Sequence, residues 1–409
     1  MSSHVNDTIE AIARHSYGKL IAYLTMRTRD VAAAEDALSD AFAAALVDWP
    51  AHGCPSNPEA WLFTAARRKA TDAARRRATA QDATRELLLC AERDGAETES
   101  PIPDHRLALM FACAHPAIDP GVRAPLMLQV ILGLNAETVA SPFLASPAAM
   151  ARKLTRAKDK IRNSGIPFRI PEREELQDRL GAVLDAVYAA FAEGWTDPTG
   201  TDAARRDLTG ESIYLARVVT ELLPQEPEPL GLLALMLHAE ARRPARRTET
   251  GDYVPLEQQD TLQWDAALID EAERLLHRAS AMGALGRYQL EGALQSAHVH
   301  RRRSGESNWP AVLQLYDALC AIAPSPVAAL NRTLALTEVQ GPAAALQSME
   351  ELASDPRLEK YQPYWAARAE LLTRTGRHED ARHAYDVAIG LERDPAVRRF
   401  LQTRAARIV

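Results

Sequence analysis

No stretch of the 409-residue chain reaches the ~18 uninterrupted apolar residues that a bilayer-spanning helix needs. Nor does the segment Met1 to Glu10 look like a signal peptide, because it is polar and acidic. The chain is therefore expected to stay in the cytoplasm, with no membrane partner. Aromatic residues are scarce, at 6%, and long alternating Val/Ile/Thr runs are missing, while Ala, Leu and Arg dominate. That composition argues against a sheet and predicts an all-α fold. Of the four cysteines (Cys54, Cys90, Cys113 and Cys320) none forms a CxxC pair. Cys113 and His115 are close, but no second ligand pair at zinc spacing accompanies them, so no metal is expected. The thiols read as buried and free.

Catalytic signatures are missing as well. The sequence has no GxSxG, no Walker loop, no HExxH and no dinucleotide glycine fingerprint, so neither an enzyme nor a cofactor is expected. The histidines are scattered. Their densest cluster, His298 and His300 beside Arg301, Arg302 and Arg303, reads as a surface face. The polar run Leu256-Glu257-Gln258-Gln259-Asp260 reads as structural, since short acid/amide runs usually cap helices or solvate; a regulatory contact is the other reading.

The net charge of −7 argues at first against nucleic acid, but its distribution does not. Residues 1–165 carry 20 Lys+Arg against 19 Asp+Glu, whereas the remainder carries 28 against 36. Local patches, rather than the chain total, set a nucleic-acid footprint.

Three parts follow one another. Helical patterning runs from about Asp7 to Arg77. It is interrupted at Asp48 to Pro58, where Pro50, Gly53, Pro55 and Pro58 predict that no helix runs through. The acidic stretch Ala91 to Pro101 has no hydrophobic periodicity and reads as a linker. A second helical part spans about Asp104 to Ser164. In it the Ser146-Pro147 pair fits a helix start, whereas Pro142 falls where a helix interior or last turn is expected. A proline-rich hinge, Gly165 to Pro171, leads to a long helical tail with an approximate internal repeat. There Trp365, Ala369, Leu372, Gly376, Ala381, Tyr385 and Ala388 hold the spacing of a tetratricopeptide repeat, which the run resembles; Pro395 is about two residues late.

Three motifs carry chemistry. Trp61 to Arg77 sets Arg67, Arg68, Lys69, Arg75, Arg76 and Arg77 against one acid, Asp72. A helix this basic attracts phosphate and releases counterions on binding; a solvated surface face is the other reading. Asn135 to Arg162 reads as helix, turn, helix. Val139, Ala140 and Phe143 are placed to pack on Met150, Leu154 and Ile161, and cations line the second helix. The usual turn glycine is missing, and a hairpin without DNA is the other reading. Asp30 to Leu46 is acidic, with Glu35, Asp36 and Asp40 able to share a face beside an apolar stripe of Ala34, Leu38, Phe42 and Leu46. Such a helix suits a protein partner, or mere capping and solvation.

The order of these motifs, ending in R-K-L-x-R-A-K-x-K-I, resembles a sigma-70-family factor of the extracytoplasmic-function group over residues 8–165. Asp104-His105-Arg106-Leu107, the run Gly231 to Arg246 and Leu256 to Asp260 resemble the subgroup with a long tetratricopeptide-like extension. The resemblance implies a first sigma domain at 1–80, a linker at 81–103, a helix-turn-helix domain at 104–165 and a helical extension at 172–409 with repeats from about 300. It also implies partners: core RNA polymerase, through its β′ clamp and β flap, and promoter DNA, with a regulatory protein or peptide at the repeats. Asp30, Glu35, Asp36, Asp40 and Phe42 would dock on polymerase. Trp49, Asn57, Trp61, Arg67, Arg68, Arg75 and Arg76 would serve the −10 element, with the loop from Trp49 holding an unstacked base. Ser146, Ala149, Arg152, Lys153 and Arg156 would serve the −35 element. Ala148 and Ala149 stand where polar readers often sit, which favours shape and phosphate over base readout. A repeat scaffold with a DNA-binding head and no polymerase contact is the competing reading.

Overall fold

The computed structural model describes residues 8–9, 12–13, 16–28, 30–77, 102–163, 170–195 and 203–408. The expected linker therefore falls almost wholly outside the described residues, as does most of the proline-rich hinge. The described residues are helical, and their one β feature is a single bridge between Arg247 and Tyr253. Contacts divide the chain into two units. One holds residues 1–194 and 203–218, the other residues 195–202 and 219–409.

The first unit begins with α1 (Tyr17–Thr28), α2 (Val31–His52) and α3 (Pro58–Arg77). Asp30 caps α2 by accepting from the Ala33 amide at 3.0 Å. Contrary to the sequence expectation, α2 does not stop before Pro50 but runs on to His52. Pro50 and Leu46 are both exposed, so the carbonyl that proline cannot bond lies toward solvent, where a helix tolerates the loss. Gly53, at φ +90°, ends the helix. Along α2 the buried side chains Ala34, Leu38, Ala41, Ala45 and Trp49 keep helical spacing.

After α4 (His105–Cys113) and α5 (Pro120–Leu132) come a short α6 (Ala136–Ala140) and α7 (Pro147–Asn163). Pro142 holds α6 to five residues, and a 3-10 turn over Ser141–Phe143 follows. Leu144, with φ +50°, takes the left-handed place that glycine usually fills. Val139, Ala140, Met150, Leu154 and Ile161 are buried, as their spacing predicts, and Phe143 is half-buried. Two further helices, α8 (Leu176–Trp195) and most of α9 (Ala203–Leu222), belong to the same unit. Arg179 of α8 donates to the Phe111 carbonyl at 3.1 Å. Arg106 of α4 pairs with Asp104 at 2.9 Å and with Glu211 of α9. The free-thiol reading holds for buried Cys113, but Cys54 is exposed, because it lies beyond the end of α2.

The second unit is built on α10 (Pro227–Ala241), whose side chains are buried on almost every side. It packs against α11 (Ala266–Ser280) and α12 (Arg287–Ser304). At Gly231 a Cβ would stand 2.5 Å from the Gln289 nitrogen, so only glycine admits this approach. Glu228 completes the joint by accepting from the Tyr288 and Gln289 amides at 3.0 and 3.2 Å. Beyond them α13 (Trp309–Ile322), α14 (Pro326–Gln340), α15 (Pro342–Leu352), α16 (Gln362–Arg374), α17 (His378–Leu391) and α18 (Pro395–Ala405) each pack on the next. This neighbour-on-neighbour stacking is the arrangement of a helical solenoid. Ala369, Ala381 and Ala388 are fully buried where α16 meets α17, and Gly376 turns between them at φ +78°.

The histidine cluster is not the surface face its sequence suggests. His298 is half-buried and Val299 buried, and only His300 is exposed. Arg301 turns inward, donating to the carbonyls of Leu256 (3.0 Å), Gln259 (2.9 Å) and Glu257. The polar run at 256–260 is thus a loop tied down by one guanidinium.

Candidate nucleic-acid interface

The sequence-predicted residues separate into those the fold has engaged and those it leaves open. Three are helix caps. Asp30 caps α2, the Asn57 carboxamide oxygen accepts from the Ala60 amide at 3.0 Å, and the Ser146 hydroxyl accepts from the Ala149 amide at 3.3 Å. Glu35 is half-buried and meets Lys158 of α7, whose Nζ lies 2.9 and 2.8 Å from its two carboxylate oxygens. Trp49 is 1% exposed, its ring edge-on to Trp61 at 5.4 Å between centroids. A stacking surface for a base is therefore not presented by Trp49 in this conformation; half-buried Trp61 is the more accessible of the two.

The open residues form three rows. On α3, Arg67, Arg68 and Lys69 are exposed, while Leu62, Ala66 and Ala70 face the core. The side chains of Arg75 and Arg76 lie outside the described residues. On α7, Arg152, Lys153 and Arg156 are exposed opposite buried Met150 and Leu154, with Ala149 half-buried. On α2, Asp36 and Asp40 are exposed and Phe42 is half-buried. Sequence reasoning missed the continuation of this face. Ala43, Leu46 and Val47 are exposed, the last two by 52% and 77%, although the apolar pattern had assigned Leu46 to a stripe with buried Leu38. Positions 36, 40, 43 and 47 share one side of a helix, so an acidic patch grades into an apolar one.

Burial around Glu35 shapes the nearby titrations. Tyr17 is pushed up to about 12, first by burial and then by the Glu35 carboxylate. The Cys113 thiol is pushed far up by burial, so it stays protonated and unreactive. Among the described residues no cluster of three metal-ligating side chains exists, and no helix is long and apolar enough to cross a membrane.

A helical head with exposed cation rows on α3 and α7, the latter within a helix-turn-helix, has the outline of a nucleic-acid-binding protein. Comparison narrows it. Residues 12–80 match sigma-70 region 2, and residues 179–280 match a family of unknown function (DUF6596). An uncharacterized protein of Rhizobium meliloti (strain 1021) is 36% identical over 381 residues, covering 91% of this chain and 88% of that protein. No solved structure matches. The chain belongs to one family with the Rhizobium meliloti protein, and its region 2 match supports a sigma factor of the sigma-70 family.

Proposed function

We propose that the chain is a sigma factor of the extracytoplasmic-function group, directing core RNA polymerase to a set of promoters and regulated by its helical extension. The observation that carries this reading is the exposed Asp36–Asp40–Ala43–Val47 face of α2, standing in one compact unit with the cation rows of α3 and α7. An acidic face that becomes apolar suits a protein partner: charge steers the encounter and buried apolar area holds it. In this reading the partner is the β′ clamp of polymerase, with Phe42 contributing from the edge of the face. Arg67 and Arg68 meet phosphates near the −10 element, with Trp61 as the accessible aromatic. Arg152, Lys153 and Arg156 meet the −35 element, and contact with the β flap follows from the same domain. Ala149 offers no hydrogen-bonding group to a base, so readout there rests on shape and phosphate. The caps Asp30, Asn57 and Ser146 act by fixing helix starts rather than by touching either partner.

The tail's consecutive helix packing supports a tetratricopeptide-like stack, whose concave surfaces suit a regulatory peptide or protein. Co-purification with core polymerase tests the reading. The intact chain is expected to bring core polymerase with it, and Asp40→Arg with Phe42→Ala to lose it. Retention by the double variant would favour a DNA-binding scaffold that does not use this face.

A further inference from the structure

The second unit contains a cavity of about 230 Å³, walled by Leu256, Glu257, Trp264, His298, Arg301 and Trp309 among others. At ~30 Å³ per water that is room for about seven water molecules, or one substituted ring. Its walls combine three features. Two are indoles. Trp264 is 2% exposed, and its Nε1–H has no hydrogen-bond partner, a costly state for a buried donor. Trp309 is half-buried and lies edge-on to His298 at 5.8 Å between centroids.

The third feature is uncompensated positive charge. The Arg301 guanidinium stands over the Trp264 ring at 5.6 Å and spends its described hydrogen bonds on backbone carbonyls. Arg242 behind it bonds the His238 carbonyl at 3.3 Å and the Gln295 side chain. Neither forms an ion pair with a carboxylate among the described residues. Burial, reinforced by these two cations, pushes His298 down to about 4, leaving a neutral imidazole on the wall. Glu257 is exposed at the rim and holds Arg301 through its carbonyl.

We infer that this cavity binds a small aromatic carboxylate, its ring between Trp309 and Leu256 and its carboxylate facing Arg301. The carboxylate supplies the negative charge that the half-buried Arg301 guanidinium, with half-buried Arg242 behind it, lacks. All of the residues that line the site belong to the second unit.

The test titrates the full-length chain with sodium benzoate near neutral pH, following tryptophan emission and heat, with benzamide as the uncharged control. Saturable binding with a dissociation constant on the order of 1 mM or tighter is expected from so few ligand atoms. Benzamide should bind about tenfold more weakly. Arg301→Gln removes the charge that faces the carboxylate, and should weaken benzoate about tenfold, toward the affinity of benzamide. Trp309→Leu, on the half-buried wall, checks the site in a background less exposed to folding defects, with thermal melts confirming both variants. No saturation by about 20 mM benzoate, far above that expectation, overturns the proposal. So does benzamide binding as tightly as benzoate, or benzoate binding that both variants leave unchanged.

Discussion

Glu35 and Lys158, 123 positions apart, join the acidic helix to the cation-bearing helix of the helix-turn-helix. Their side chains are only 18% and 20% exposed, between the exposed pairs that contribute under about 1 kcal/mol and the buried ones whose breaking costs about 3–5 kcal/mol. A coupling of about 1–3 kcal/mol is therefore expected from a cycle of Glu35→Gln, Lys158→Met and the double variant, measured by denaturant unfolding of the first unit. At about 2–4 °C per kcal/mol for a unit of this size, either single variant should lower its melting temperature by about 2–10 °C. The double variant should recover part of that loss, because a half-buried charge is no longer left alone. A second readout ties the pair to function. Glu35→Gln releases Lys158 on the helix that carries Arg152, Lys153 and Arg156. If the freed amine reaches a phosphate, the slope of log affinity against log salt for promoter DNA steepens by about 0.9. A coupling below about 0.3 kcal/mol would refute the reasoning, since independent sites add to within that margin.

Arg67→Ala, Arg68→Ala, Arg152→Ala and Arg156→Ala should each flatten the salt slope of DNA binding by about 0.9 while leaving thermal melts nearly unchanged; a steady slope across all four would show that these rows do not meet phosphate. Gly231→Ala should destabilise the second unit by about 1–3 kcal/mol through the backbone it strikes, although alanine is the better helix former; a melt above that of the parent would contradict the packing. His298 gives a pH signature. Its folded value of about 4 lies below the ordinary 6.5, so the unfolded chain binds the extra proton between them. Stability should be full above about pH 6.5 and fall toward pH 4, by up to about 3 kcal/mol, and His298→Gln should flatten that loss.

The all-helical class, the helix-turn-helix and the alanine seam of the tail were legible because each rests on local spacing. Ser146-Pro147 announced the start of α7, and buried Val139, Met150 and Leu154 follow the spacing that predicted them. Trp49 was misread because Pro50 was given more weight than periodicity. The series Ala34, Leu38, Ala41, Ala45, Trp49 was there to be seen, and one solvent-side proline does not break it. Asp30, Asn57 and Ser146 illustrate a different ambiguity. A short polar side chain before a helix serves equally as cap or as ligand, and the residue type alone does not choose. Their positions directly before Val31, Pro58 and Pro147 were the signal. The Glu35–Lys158 pair and the inward turn of Arg301 onto a loop about 40 residues earlier had no local signature, because both are contacts made only by the folded chain.

The most direct test is run-off transcription with purified core RNA polymerase, freed of other sigma factors, on the region upstream of the chain's own gene and on a library of genomic fragments. Discrete transcripts that require the intact chain and vanish with Asp40→Arg and Phe42→Ala are the expected result. A core preparation that initiates with another sigma factor but yields no transcript dependent on this chain, from any fragment, would contradict it.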